Sequence, residues 1–235
     1  MENTGYIATP PERDVGKILS NVMTGVYLYM FIGLLITAAT AFFAARSETF
    51  IIMLLNNPAV FYGLIIGELA LVFILSLAIR KMPFAMCLAC FMIYSLVNGL
   101  TLSVIFLIYV SSSIYSTFLV TCLTFGIMSA IGYFTKKDLT KIGHFLLMGL
   151  IGIIIAGIVN IFIMSDVFSF AITVVGLLIF IGLTAFDTQR IKARLLEETN
   201  EDNFQKITIW GALTLYLDFI NIFLKLLRIL GRRRN

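Results

Sequence analysis

Residues 207–230 read Ile-Thr-Ile-Trp-Gly-Ala-Leu-Thr-Leu-Tyr-Leu-Asp-Phe-Ile-Asn-Ile-Phe-Leu-Lys-Leu-Leu-Arg-Ile-Leu. The segment is long enough to cross a bilayer, because a helix rises about 1.5 Å per residue and the hydrocarbon core is about 30 Å thick. It is also two-faced. At about 100° per residue, Gly211, Thr214, Asp218, Asn221 and Lys225 fall on one narrow stripe, and Leu213, Leu217, Ile220, Phe223 and Leu227 lie on the other side. Lipid offers such a stripe no hydrogen bonds, so this helix belongs against other helices or a wet cavity, at the centre of a bundle.

The rest of the chain supplies that bundle. Six further apolar stretches, 22–44, 59–79, 84–108, 114–134, 145–164 and 167–186, are each long enough to span. Of the 235 residues, 60% are hydrophobic and 13% charged, and the mean hydropathy is +1.01. A soluble domain is about one quarter charged, so this chain cannot cover a water-facing surface, and disorder is excluded as well. Barrel strands would alternate apolar and polar residues, and the run Leu150-Ile151-Gly152-Ile153-Ile154-Ile155-Ala156-Gly157-Ile158-Val159 does not. The expected fold is an all-α membrane protein, a seven-transmembrane-helix bundle with the last helix central. Its organisation reads as a polar N-terminal tail (1–20), one seven-helix domain (21–231) and a basic C-terminal tail (232–235).

Punctuation supports these limits. Asn56-Asn57-Pro58 marks a helix start, with proline suited to the first turn. Lys81-Met82-Pro83 separates the second and third spans and Ser111-Ser112-Ser113 the third and fourth, while Ser165-Asp166 leaves only a tight hairpin between the fifth and sixth. Basic residues should collect on the cytoplasmic side of short loops. With the N-terminus cytoplasmic, the inner segments hold Arg13, Lys17, Arg80, Lys81, Lys136, Lys137, Lys141, Arg190, Lys192, Arg194 and Lys206, and the outer loops hold Arg46. Seven crossings then place Arg232, Arg233 and Arg234 outside, against the rule; the alternative is a last segment that dips in and returns. The net charge of +4 is a topology signal and gives no reason to expect nucleic acid.

Carboxylates inside a membrane are costly and are functional hypotheses by default. Three qualify: Glu68 in the second span, Asp187 at the inner end of the sixth and Asp218 in the seventh. Each has a bland reading as an interhelical hydrogen-bonding group or, for Asp187, a solvated boundary residue. The sharper reading joins Asp187 and Asp218. Two carboxylates brought close in a low-dielectric site cannot both ionise cheaply, so the pair holds a shared proton, and a hard divalent cation such as calcium competes for the same oxygens. Arg80 reads as a snorkelling anchor or as a latch that neutralises the pair.

Other motifs carry less. Cys87-Leu88-Ala89-Cys90 has a CxxC spacing but lies in an apolar span without a second ligand pair, so it reads as packing. His144 and the aromatic residues Tyr109, Tyr133 and Trp210, near span ends, read as interfacial anchors. Gly63 with Gly67, and Gly152 with Ala156, have the small-residue spacing of close helix contacts.

The stretches Gly-Leu-Thr-Ala-Phe-Asp-Thr-Gln-Arg-Ile-Lys (182–192) and Ala-Leu-Thr-Leu-Tyr-Leu-Asp-Phe-Ile-Asn-Ile-Phe-Leu-Lys-Leu-Leu-Arg-Ile-Leu-Gly (212–231), with Lys-Lys-Asp-Leu at 136–139, resemble the signature of the Bax inhibitor-1 family. The resemblance covers the whole chain and is strongest to the bacterial branch, which implies a multi-pass protein of the cytoplasmic (inner) membrane. It implies a seven-helix bundle with the last helix central, and a pH-dependent calcium leak. It places the family's paired aspartates on Asp187 and Asp218, its second-helix glutamate on Glu68 and its closing arginine on Arg80.

Two functions are therefore expected. The first is a calcium (cation) leak channel gated by the proton-sharing Asp187–Asp218 pair, with Glu68 and Arg80 as pore or latch, Thr214, Asn221 and Lys225 as the polar stripe, and calcium as the transported or regulatory ion rather than a bound cofactor. The alternative is a non-transporting regulator that binds a membrane protease or another integral membrane protein. An enzyme is disfavoured: the glycines of the intramembrane aspartyl protease motif Gly-x-Gly-Asp are replaced in Leu215-Tyr216-Leu217-Asp218, and one histidine cannot supply a His-Glu-x-x-His zinc site.

Overall fold

In hydrocarbon the backbone has no water to bond, so an apolar run must satisfy its own N–H and C=O groups as a helix. The computed structural model, which describes residues 15–79, 81–198 and 200–234, shows this outcome along nearly its whole length. Its helices are α1 (Val15–Arg46), α2 (Glu48–Asn56), α3 (Pro58–Ala78), α4 (Phe84–Leu102), α5 (Ile105–Ile108), α6 (Ser111–Phe134), α7 (Thr140–Ile163), α8 (Asp166–Glu197) and α9 (Glu201–Leu230). Among the described residues, seven helical segments are long and apolar enough to cross a membrane, the third of them formed by α4 and α5 together.

The ends follow local chemistry. Pro58 opens α3 at the first turn, as its missing N–H allows. Met164 takes a left-handed conformation (φ 54°) to end α7, and the Ser165 hydroxyl accepts the Phe168 N–H to start α8, giving the tight turn expected there. Three features differ from the sequence reading. The stretch Glu48–Asn56 between the first two spans folds as α2, capped by the Ser47 side chain. The third span breaks at Ser103-Val104, and Ser111–Ser113 form the first turn of α6 rather than a connection. The first helix begins at Val15, inside the stretch read as a tail.

The last helix is the buried one. Of its most apolar stretch, 78% of residues lie inside the protein, against 33% at most for any other span. It packs on α8, α1, α6 and α4, and its Leu213, Leu215, Tyr216, Ile222 and Leu227 are almost fully enclosed. By contrast α7, whose most apolar stretch has no buried residue, packs along α8 at the edge of the bundle. Because α9 is one unbroken helix of 30 residues, it crosses once and does not turn back. The chain beyond it meets the connection between the third and fourth spans: Val110 N–H donates to the Arg232 carbonyl (3.1 Å), Arg234 N–H to that of Ile108 (2.8 Å), and Arg232 N–H to the Ser113 hydroxyl (3.0 Å).

The close helix contacts are not where the small-residue spacing put them. A Cβ added at Gly63, Gly67 or Gly152 would meet nothing within 4 Å. Close approaches occur instead at Gly132, where α6 lies against the Ala185 backbone of α8, at Gly99, where α4 lies against the Thr37 backbone of α1, and at Gly143, which lies under the Phe186 ring. Spacing within one helix reports what could approach, and the partner helix decides whether it does.

Candidate functional site

The α6–α8 approach at Gly132 encloses the segment that carries the first aspartate. Thr184, Ala185, Phe186, Asp187 and Thr188 are all buried. The Thr184 and Thr188 hydroxyls are turned back onto the carbonyls of Phe180 (2.9 Å) and Thr184 (2.8 Å), and Thr188 Oγ1 also lies 3.1 Å from Ser129 Oγ of α6. Asp187 is only 6% exposed and Asp218, on α9, only 4%.

Both aspartates border one cavity of about 610 Å³ between α7, α8 and α9. The α9 side contributes Thr214, Leu217, Asp218, Asn221, Lys225 and Arg228, so the predicted stripe lies along it except for Gly211, which packs on Ile191 and Val26, and the α7 side contributes Leu147, Leu150, Ile153, Ile154 and Gly157. One wall is polar and the other apolar. The Asp187 Oδ1 and the Asp218 Oδ2 are buried without hydrogen-bond partners. Among the described residues no hydrogen bond joins the two carboxylates; they share a cavity rather than a bond. Thr214 and Asn221 donate to the carbonyls of Trp210 (2.9 Å) and Leu217 (2.8 Å) on their own helix.

The cation beside Asp187 is Arg190, one helical turn further along α8, with its Nη1 3.7 Å from Oδ1. Arg190 also lies over the rings of Trp210 (5.4 Å) and Phe186 (5.9 Å), and Arg194 covers Trp210 at 4.1 Å. Trp210 is therefore a buried platform for arginines, 8% exposed, and not the interfacial anchor that its position near a span end suggested. The i, i+3 spacing of Asp187 and Arg190 was the available signal for this pair. Arg80 lies outside the described residues.

Glu68 belongs to a second polar network, away from the aspartates, and does not border their cavity. It accepts from Thr101 Oγ1 (2.5 Å) and Asn98 Nδ2 (3.3 Å) on α4. Asn98 Oδ1 in turn accepts from the Tyr216 hydroxyl of α9 (3.1 Å), which lies 2.6 Å from Thr37 Oγ1 of α1. One network thus ties α3, α4 and α1 to the central helix, at a residue, Tyr216, that sits inside the quoted motif but was not singled out.

Among the described residues no group of three or more His, Cys, Asp or Glu side chains could hold a metal ion. Cys87 is buried with its thiol toward the Ile79 carbonyl (3.8 Å), and all three cysteines are free.

Residues 19–235 match the family described as inhibitor of apoptosis-promoting Bax1. The chain belongs to the Bax inhibitor-1 family. It is 47% identical to the inner membrane protein YbhL of Escherichia coli over 218 residues, covering 92% of this chain and 93% of the relative. An uncharacterised protein of Borreliella burgdorferi is 42% identical over 95% of this chain and 97% of its own, and an uncharacterised membrane protein of Streptococcus pyogenes is 42% identical over 94% and 96%. With its seven spans the chain is a multi-pass membrane protein, of the kind that the name of the Escherichia coli relative places in the inner membrane.

Proposed function

We propose that this family member is a pH-sensitive calcium leak, gated by Asp187 and Asp218. One observation carries the reading: two buried carboxylates on adjacent helices border the same cavity, Asp218 with an oxygen that the protein leaves unbonded and Asp187 with one that has no hydrogen bond and only the Arg190 ion pair at 3.7 Å. Carboxylates in such a place must find a proton or a cation. Calcium takes six to eight oxygens in flexible geometry, more than the five that two aspartates and the Asn221 side chain supply at most. An ion here would keep much of its water, bind weakly and move on, as a leak requires and a storage site does not.

Arg190 gives the gate its second position. While Arg190 neutralises Asp187, Asp218 is the carboxylate that must carry the proton; if Asp187 turns into the cavity, the two oxygens become a cation site. Glu68 supports the bundle around the central helix in this reading, since its partners are on α4, one of them, Asn98, accepting from Tyr216 of α9, rather than in the cavity.

Calcium flux into liposomes containing the purified protein, followed at several pH values, tests the proposal. Flux that depends on pH in the native protein and loses that dependence in Asp218→Asn is the expected result. Flux unchanged by Asp218→Asn removes that residue from the gate. No flux at any pH, with co-purification of a membrane protease, would favour the regulator reading instead.

A further inference from the structure

The cavity has a second end. Seven and ten residues beyond Asp218 along α9, about 10 and 15 Å at 1.5 Å per residue, Lys225 and Arg228 line the same cavity close to the end of the helix. Among the described residues neither is in an ion pair: Arg228 donates to the Ser169 hydroxyl of α8, and the charge that Lys225 feels is Arg228 itself. Lys225 does not reach outward, as an anchoring lysine would. It lies across bare Gly176 of α8, where an added Cβ would come within 2.8 Å of its Cε and 3.2 Å of its Nζ. Two cations are thus held together without an acid, one half-buried, at the mouth of a cavity whose opposite wall is Leu150, Ile153, Ile154 and Gly157.

We infer that this cavity binds an anionic membrane phospholipid, with its phosphate on Lys225 and Arg228 and one acyl chain along the α7 wall toward Asp218. Three observations fit this occupant. The charge is complementary, and an anion removes the repulsion between the two cations. Arg228, the outer of the two cations, stands about 15 Å along the helix from Asp218, half of a hydrocarbon core about 30 Å thick, so a chain anchored there ends where the buried carboxylates begin. The cavity is polar on α9 and apolar on α7, and α7 packs on α8 at the bundle edge, which leaves a side open to the bilayer for a lipid to enter. A free anion would use the cations and leave the apolar wall without purpose. The inference concerns occupancy and stands whether or not an ion passes.

Binding of phosphatidylglycerol and phosphatidylcholine to the full-length protein in detergent, read by native mass spectrometry, provides the test, with inorganic phosphate as competitor. Phosphatidylglycerol is expected to bind more tightly than phosphatidylcholine. A basic residue near the membrane surface contributes on the order of 1 kcal/mol toward an anionic lipid, so the double variant Lys225→Gln/Arg228→Gln should weaken phosphatidylglycerol roughly 30-fold. Ile153→Trp, which fills the cavity from the half-buried α7 wall without touching the cations, should weaken both lipids and leave phosphate binding alone. The proposal fails if the two lipids bind equally, if Lys225→Gln/Arg228→Gln binds phosphatidylglycerol like the native protein, or if phosphate displaces the lipid while Ile153→Trp has no effect, which would mark a simple anion site. Should the double variant not fold, Ile153→Trp and the lipid comparison decide. Loss of flux with lipid binding intact would sink the leak and leave this inference standing.

Discussion

Replacing Gly132 by alanine is expected to destabilise the bundle by about 2 kcal/mol, while the same change at Gly152 is expected to stabilise it by roughly 0.5–1 kcal/mol. Both glycines are inside helices, so each alanine gains about 1 kcal/mol of helix preference. At Gly152 nothing lies within 4 Å of the new Cβ, and that gain is the whole effect. At Gly132 the Cβ would overlap the Ala185 carbonyl oxygen and sit 2.9 Å from the carbonyl carbon and the Cα. Every one of those atoms is backbone, so no rotamer change relieves the overlap and α6 must retreat from α8. Overpacking of this sort costs about 1–3 kcal/mol, and here the upper end applies. Net of the helix gain, about 2 kcal/mol remains. Reversible unfolding in mixed micelles, followed by the fluorescence of the single tryptophan, Trp210, measures both variants. A difference of about 3 kcal/mol is roughly two orders of magnitude in the folding equilibrium. Variants of equal stability, or a Gly132→Ala protein more stable than the native one, would refute the close approach of α6 and α8.

Two further outcomes follow from polar contacts. Tyr216→Phe removes the hydroxyl shared by Asn98 and Thr37 and leaves the Asn98 oxygen without its donor; interhelical hydrogen bonds in membranes are worth about 0.6–1.7 kcal/mol, so unfolding should show a loss of about 1–2 kcal/mol, and no loss would dissolve the network around Glu68. Outside the membrane, Asp138 Oδ1 accepts the Thr140 N–H (2.8 Å) at the start of α7, and the Thr140 side chain and backbone together hold the carboxyl below the usual carboxylate range. A depressed value means that its contribution is present above the ordinary carboxylate range and is lost as the pH falls through the lowered one. The protection factors of the amides at residues 140–143, each rate taken relative to the intrinsic rate at that pH, should fall over that window, and Asp138→Asn should remove that fall.

Hydropathy made the seven spans readable because it acts on each segment separately: a run of apolar residues needs no knowledge of its neighbours to become a helix in lipid. The central position of α9 was readable for a related reason. Thr214, Asp218, Asn221 and Lys225 cannot face hydrocarbon, so that helix had to be inside wherever the others went. Pairwise facts were not readable. Gly63 and Gly67 have the spacing of a helix contact and no partner, whereas Gly132, isolated in sequence, has one. Trp210 looked interfacial because its depth was judged from its own span, and the arginines that cover it come from α8. Glu68 and the aspartates were grouped because each is an acid in a membrane, a property of single residues. Their separation into two networks depends on the face of α3 that turns toward α4 and the face of α8 that turns toward α9.

The burial of α9 also has a consequence for how the chain is made. It is the seventh span to emerge, and it is the common partner of α1, α4, α6 and α8. Until it arrives, six inserted helices surround a centre that nothing fills, and the faces around Thr37, Asn98 and Asp187 wait for partners not yet synthesised. Insertion and assembly are therefore separate events in time. Shortening the chain before residue 203 would remove the helix that α1, α4, α6 and α8 share as a partner and leave that centre unfilled.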